Sequence, residues 1–413
     1  LRGDIVTSFQ RRRHLAKPRG IVGDTKCHGE ASLGPRIDRF GMLKIRTSFL
    51  LVAFAVTSAS FAIVIRHDRD DAKYRELAKQ FKAYGDVVEA GSTLVDKSWL
   101  LTAGHVATTI TPYSSFAVVG GHEYMIDRVV MHPDYIKDGY RGRRDVAMLH
   151  LTKPVTDVEP VLLYRKDDEA GQIVTFFGRG MTGNGQTGPT AQDTSMRGAT
   201  NKLERVDDRS VFFLFDDPKT ATEMEGISGP GDSGGPALLK VNGKWAIAGI
   251  SSANSGGGSG ICTYGTTEVY ARVSPVVPWI EQTIKTLPAS SINWRIVRAS
   301  QGWPKSRFGE VGAALLAAFN TGDPVKMEEF NQKYRDPEAL AGRTAEQRKD
   351  GYLGIFNKSG SLTVVEFATD PRGRTMTLLV NEKGEYFQLS LYFLDPDFKA
   401  FDGYWIGAGK PRA

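Results

Sequence analysis

The sequence predicts an all-β domain followed by a smaller α+β domain. Between residues 83 and 300, short runs of β-branched, aliphatic and aromatic residues alternate with Gly, Asn and Asp clusters, the pattern of a barrel or sandwich. From Lys305 onward helical periodicity comes first and strand periodicity after, which marks a separate α+β unit. A chain of 413 residues has room for two or three domains. With 41% hydrophobic and 24% charged residues, wholesale disorder is excluded. Two cysteines, Cys27 and Cys262, are too few for a disulfide-stapled scaffold.

Residues 1–41 carry nine basic and four acidic residues without strand or helix period, and read as a disordered or non-native upstream segment. Met42 opens a different pattern. Lys44 and Arg46 precede the apolar run Phe49–Val56, and small residues at Ser60 and Ala62 follow. That is the build of a secretory signal peptide over 42–62, cleaved after Ala62 or after Ala59. The other reading of the same run is an uncleaved anchor, because Thr47–Ile65 is just long enough to span a bilayer.

The formal charge of +6 therefore sits mostly ahead of residue 63. Residues 63–413 hold 42 basic and 43 acidic residues, so neither a nucleic-acid partner nor stable membrane association after signal cleavage is expected. The expected location is secreted or periplasmic.

Strands are expected at Asp86–Val95, Ser98–Thr102, Phe116–Val119, Tyr124–Val130, Asp145–Leu151, Ile173–Phe177, Val211–Phe215, Pro236–Val241, Trp245–Ser251 and Val269–Val273. Val276–Lys285 reads as a helix closing this unit, which spans 63–287, and 288–305 reads as a linker. In 306–413, helices are expected at Phe308–Asn320 and Val325–Tyr334, with a third within Thr344–Leu353. Strands are expected at Ser361–Ala368, Thr375–Asn381 and Tyr386–Tyr392.

Three segments carry chemistry. In Trp99–Val106 an apolar strand runs into a small-residue turn presenting His105. In Arg144–Leu151 Asp145 precedes a buried apolar strand. In Gly229–Pro236 glycines flank Ser233. A serine hydroxyl is a poor nucleophile at neutral pH. It needs a histidine to take its proton and a buried carboxylate to orient that histidine. Glycines around Ser233 let the Gly231 and Ser233 N–H groups converge on one oxyanion. No His/Cys/Asp cluster has metal spacing and no glycine-rich phosphate loop follows a strand, so no metal or cofactor is expected.

With these residues in the order His105, Asp145, Ser233, and in the contexts LTAGHV, DVAMLHL and GDSGGP, the sequence resembles the chymotrypsin-like (trypsin-type) serine peptidases of the bacterial secreted type. Val130–Tyr135, Tyr270–Val273 and Pro278–Ile280 resemble further segments of that family. The resemblance covers about residues 63–287. It implies an all-β double barrel with a closing helix, protein or peptide substrates, and an endopeptidase working through a Ser-His-Asp triad and an acyl-enzyme. It also implies an activating ion pair between a new N-terminus at Ile63, released by signal peptidase, and Asp232. The substrate pocket implied is formed by Ile227, Ser228, Ser252, Asn254 and Glu268. Ile227 stands where an aspartate would select Arg or Lys. Glu268 either walls the pocket or, one register away, lies exposed.

Residues 306–413 resemble domains of the nuclear-transport-factor-two type, through Ala318–Asp323 after a helix and Asp402–Gly407 at the end of the strands. The partner of this domain is left open. The alternative function is a catalytically silent peptidase-fold protein that binds through its C-terminal domain.

Overall fold

A computed structural model describes residues 63–411, apart from 140–143, 192–194, 257–260, 372 and 394–398. The upstream segment 1–41 and the leader 42–62 lie outside the described residues.

The first half of the peptidase-like unit is a closed barrel. Strands Tyr84–Val87, Ala90–Asp96, Trp99–Thr102, Ala147–Leu151, His122–Met131 and Phe116–Val119 pair in that order and close on themselves. Closure leaves no unpaired sheet edge. Leu94, Leu100, Val119, Ala147 and Leu149 are buried in its core. The single strand expected over Asp86–Val95 is a hairpin. Val87 pairs with Ala90, and Val88 and Glu89 form the two-residue turn with φ of 46° and 60°. Such turns need positive φ at both positions and usually use Asn-Gly. A β-branched residue there is strained, and the sequence carries no glycine to announce it.

The second half is a sheet ordered Arg197–Lys202, Ile173–Gly178, Pro236–Val241, Lys244–Gly256, Thr266–Arg272, Ser210–Leu214 and Arg205–Val206, with Leu162–Leu163 beside Lys244–Gly256. Phe176, Phe213 and Tyr270 fill its core, with the Phe176 and Phe213 rings stacked at 5.4 Å. Together the two halves make the expected double barrel. The closing helix runs Val277–Thr286 and buries Val277 and Ile280 in the core of the first barrel.

A small third sheet joins Gly188–Ala191, Thr182–Asn184, Ile63–Ile65 and Gly226–Ile227. Ile63–Ile65 lies inside it, parallel to Thr182–Asn184 and antiparallel to Gly226–Ile227. Its burial is complete at Ile63 and Val64. Helix Asp71–Ala78 follows, and no periodicity announced it. Asp70 caps it, and Asp71 pairs with the fully buried Arg197 of the second half. Tyr74 donates to the Glu225 carbonyl at 2.9 Å.

The C-terminal unit packs helices on an antiparallel meander. Helix Arg307–Phe319 buries Phe308, Val311, Leu315 and Phe319, one face at helical spacing. Helix Pro324–Tyr334 starts at the Asp323 cap, and helix Ala345–Ser359 starts at a capping box formed by Thr344 and Gln347. A short helix, Pro337–Ala341, lies between them. The sheet order is Arg295–Arg298, Leu362–Thr369, Thr375–Asn381, Tyr386–Phe393, Phe401–Ala408. The stretch read as a linker, 288–305, thus supplies an edge strand. Its four residues, RIVR, were too short a run to stand out beside the prolines around them.

This unit docks on the first barrel just behind His105. Arg374 Nη1 donates to the Thr108 carbonyl at 2.8 Å, and Thr111 Oγ1 donates to Gln388 Oε1 at 2.8 Å. Tyr113 is buried with Ala368, Met376 and Leu378.

Candidate active site

His105 sits on a single helical turn, Gly104–Ala107, that continues the buried strand Trp99–Thr102. Gly104 is required there, because a Cβ would stand 2.7 Å from the Tyr135 ring. Asp145 is buried and binds the histidine twice. Its Oδ2 lies 2.7 Å from His105 Nδ1, and its Oδ1 accepts from the His105 backbone N–H at 2.8 Å. Ser252 Oγ donates to the same Oδ2 at 2.6 Å. The structure thus brings together three residues named from sequence, His105, Asp145 and Ser252. The carboxylate fixes which ring nitrogen carries the proton and leaves Nε2 as the basic atom. The His105 side chain stays 38% exposed, which leaves that nitrogen reachable.

Ser233 lies in the turn Gly229–Gly235. The turn is held by backbone bonds from Asp232 N to Gly229 O at 3.0 Å and from Gly234 N to Ser251 O at 2.8 Å. A third bond comes from the first barrel, where Gly91 N–H donates to the Ser233 carbonyl at 2.7 Å. Gly231 has φ +94°, which a residue with a side chain adopts only under strain. Among the described residues, no backbone hydrogen bond takes up the Gly231 or Ser233 N–H. Two free donors beside a serine hydroxyl can stabilise a developing oxyanion.

Asp232 points the other way, into the interior. It is 1% exposed and accepts from Gly180 N at 2.6 Å and Gly229 N at 2.8 Å. The backbone N–H groups of Ile63 and Arg179 also reach it. Burial pushes its carboxyl up to about 6, and these four donors only partly offset that. Ile63, with φ 58°, holds a left-handed conformation that is costly for a β-branched residue.

The expected pocket residues fall into two groups. Glu268 is buried, and its Oε2 accepts from Ser228 N at 2.9 Å. Burial and the nearby Asp232 charge hold its carboxyl well above the usual carboxylate range. Of the two readings of Glu268, the structure takes the interior one. Ser228 Oγ shares a 2.6 Å hydrogen bond with Tyr270 OH. Ile227 is buried and packs with Val64, Phe215 and Cys262, so it props the strand Ile63–Ile65. Asn254 is exposed and donates to the sulfur of the free, buried Cys262 at 3.3 Å.

Sequence reasoning missed Gly91 and Gly180. A Cβ on Gly91 would meet Gly235 backbone at 2.8 Å, and one on Gly180 would meet Asp232 N at 2.5 Å. Both glycines let the Ser233 turn sit flush on its neighbours. Their only sequence signal was glycine itself, which is common in this chain. Two other described histidines, His150 and His132, serve structure. His150 bonds Asp127 at 2.6 Å, and His132 caps helix Pro133–Lys137. Among the described residues, no three His, Cys, Asp or Glu side chains come together as a metal site would need.

The trypsin family model matches residues 73–280. Two relatives are similar over 216 residues, and both are chymotrypsin-like elastase family member 1. The Macaca fascicularis protein is 28% identical and the Rattus norvegicus protein 26%. Each match covers 47% of this chain and 78% of the relative. The family match ends within the first turn of the closing helix and leaves the C-terminal unit outside it. The double barrel, the site it frames and a family match across half of the sequence make this chain a member of the trypsin family.

Proposed function

We propose that the chain is a secreted or periplasmic serine endopeptidase with a C-terminal accessory domain. Ser233 attacks the peptide carbonyl while His105 Nε2 takes its proton. Asp145 and Ser252 hold the imidazole and stabilise its charged form. The Gly231 and Ser233 N–H groups receive the oxyanion. His105 then protonates the departing amine, and water repeats the sequence to release the acid from the acyl-enzyme. The observation that carries this reading is the hydrogen-bond chain from Ser252 through Asp145 to His105, set beside a serine turn with two unclaimed N–H groups. The test is a serine-directed phosphonate with casein as substrate. Wild type is labelled and cleaves casein, and Ser233→Ala does neither. A wild type that is neither labelled nor active indicates the silent binding protein instead.

Ile63 is proposed as the mature N-terminus, released by cleavage after Ala62. Three features support this. Ile63 already donates to Asp232, the buried Asp232 is held by four backbone N–H donors and, among the described residues, forms no ion pair, and φ of Ile63 is strained while a peptide precedes it. Cleavage removes the constraint on φ and puts an ammonium beside a carboxylate that lacks a countercharge. N-terminal sequencing of exported protein decides it. A start at Ile63 supports the reading, and a start at Ser60 or an intact leader defeats it.

Residues 306–413 are proposed as a nuclear-transport-factor-two-like accessory domain. Helices packed over one antiparallel meander support that likeness.

A further inference from the structure

A groove of about 400 Å³ between the first barrel and the C-terminal sheet plays no part in the chemistry above. Val88, Glu89 and Phe116 form one wall, and Gln388, Tyr392 and Trp405 the other. The groove begins at the reacting centre. A Cβ on Gly231 would stand 3.5 Å from the Glu89 carbonyl, and Gly91, two residues on, donates to the Ser233 carbonyl.

The direction of approach fixes which part of a substrate would enter. The residues expected on the acyl side, Ser228, Ser252 and Glu268, belong to the second half of the double barrel. The Val88-Glu89 turn belongs to the first. A peptide lying across Ser233 with its acyl portion in the second half must carry its leaving-group portion over that turn. Beyond the turn stands the C-terminal sheet, where Tyr392 is 51% exposed and lines the same groove as Glu89; partial burial, and after it the nearby Glu89 carboxylate, raises its phenol. The turn is also strained at both residues, as backbone held against a ligand often is. Hydroxyl, amide and aromatic groups in one groove suit an extended backbone with apolar or aromatic side chains. The charged residues lining it are Asp86 and Glu89, which disfavour acidic side chains.

We propose that the C-terminal sheet forms the outer leaving-group side of the substrate cleft. It binds an unfolded peptide segment beyond the second residue after the scissile bond and discriminates against acidic residues there. The inference rests on the serine endopeptidase reading.

The test uses the mature full-length chain. A preferred acyl-side sequence is taken from a casein digest and built into quenched-fluorescence peptides with one, two, four or six residues after the scissile bond. Wild-type kcat/KM rises about tenfold between two and six residues, the scale of one well-packed aromatic contact. Aspartate at the fourth position cancels the rise. Tyr392→Ser, at an exposed site, flattens the series while melting at the wild-type temperature. Glu89→Lys abolishes the rejection of aspartate. A flat wild-type series, or a rise that survives Tyr392→Ser, overturns the inference while hydrolysis of the short peptide keeps the peptidase reading. Absence of both hydrolysis and phosphonate labelling overturns both.

Discussion

The two halves of the double barrel are built on different terms. The first closes on itself, six strands around one core, and places His105 and Asp145 at the ends of strands it holds on both sides. The second places Ser233 on a turn whose inner anchor, Asp232, accepts from the Ile63 N–H, 169 positions earlier in the sequence. His105 is thus positioned within one barrel, whereas the Ser233 turn is positioned by its own half together with the strand that begins at Ile63.

The largest expected effect tests the nucleophile alone. Ser233→Ala lowers kcat/KM by about 10⁴ or more while the far-ultraviolet circular dichroism stays unchanged. Asp232→Asn keeps the size of the side chain, but it sets an amide donor against the Gly180 or Gly229 N–H and gives up the charge of the proposed ion pair. It is expected to cost about 10² to 10³ in kcat/KM, with slow phosphonate labelling. The His105 ring protons should meanwhile shift little in the nuclear magnetic resonance spectrum. A large change at His105 would break the comparison, because it would mean that the base also depends on the terminus.

The pH dependence sharpens the same contrast. At the proposed N-terminus, pairing with Asp232 would raise an Ile63 ammonium above its ordinary value of about 8, so its stabilisation would be complete below that value. It is lost as pH rises through the raised value. Activity should fall there reversibly, and an acetylated N-terminus should give the same loss at neutral pH.

In the first half, Leu149→Ala removes a fully buried side chain and should cost about 2 to 5 kcal/mol in urea unfolding. It should leave kcat/KM of the folded protein within about threefold. The smallest effect belongs to Ser252→Ala. It removes one of three hydrogen bonds to Asp145 and should lower kcat/KM by about tenfold, the scale of one charge-assisted bond.

How much of this was legible follows the same division. The contexts around His105, Asp145 and Ser233 were readable because acyl transfer constrains residue type locally. The strands of the first barrel were readable from their apolar runs. The Val88-Glu89 turn was not, since neither residue favours positive φ and only the pairing of Val87 with Ala90 enforces it. Helix Asp71–Ala78 was not, because its anchor is an ion pair to Arg197, 126 positions away in sequence. The burial of Glu268 could not be decided from alternation alone, because a one-residue register change reverses it. The Asp232 cradle was half legible. The Ile63 spacing suggested the partner, but the Gly180 and Arg179 donors come from a segment with no motif.

The docking behind His105 sets an order on the making of this protein. The chain holds every residue proposed for the chemistry by position 287. The loop following His105, however, takes Gln388 as a partner 277 residues downstream and Arg374 as a partner 266 residues downstream. Contacts of such sequence separation form late, after the intervening chain has been synthesised and closed into a loop. The segment just after His105 therefore matures last, and the proposed activity should trail the completion of the barrels that carry it.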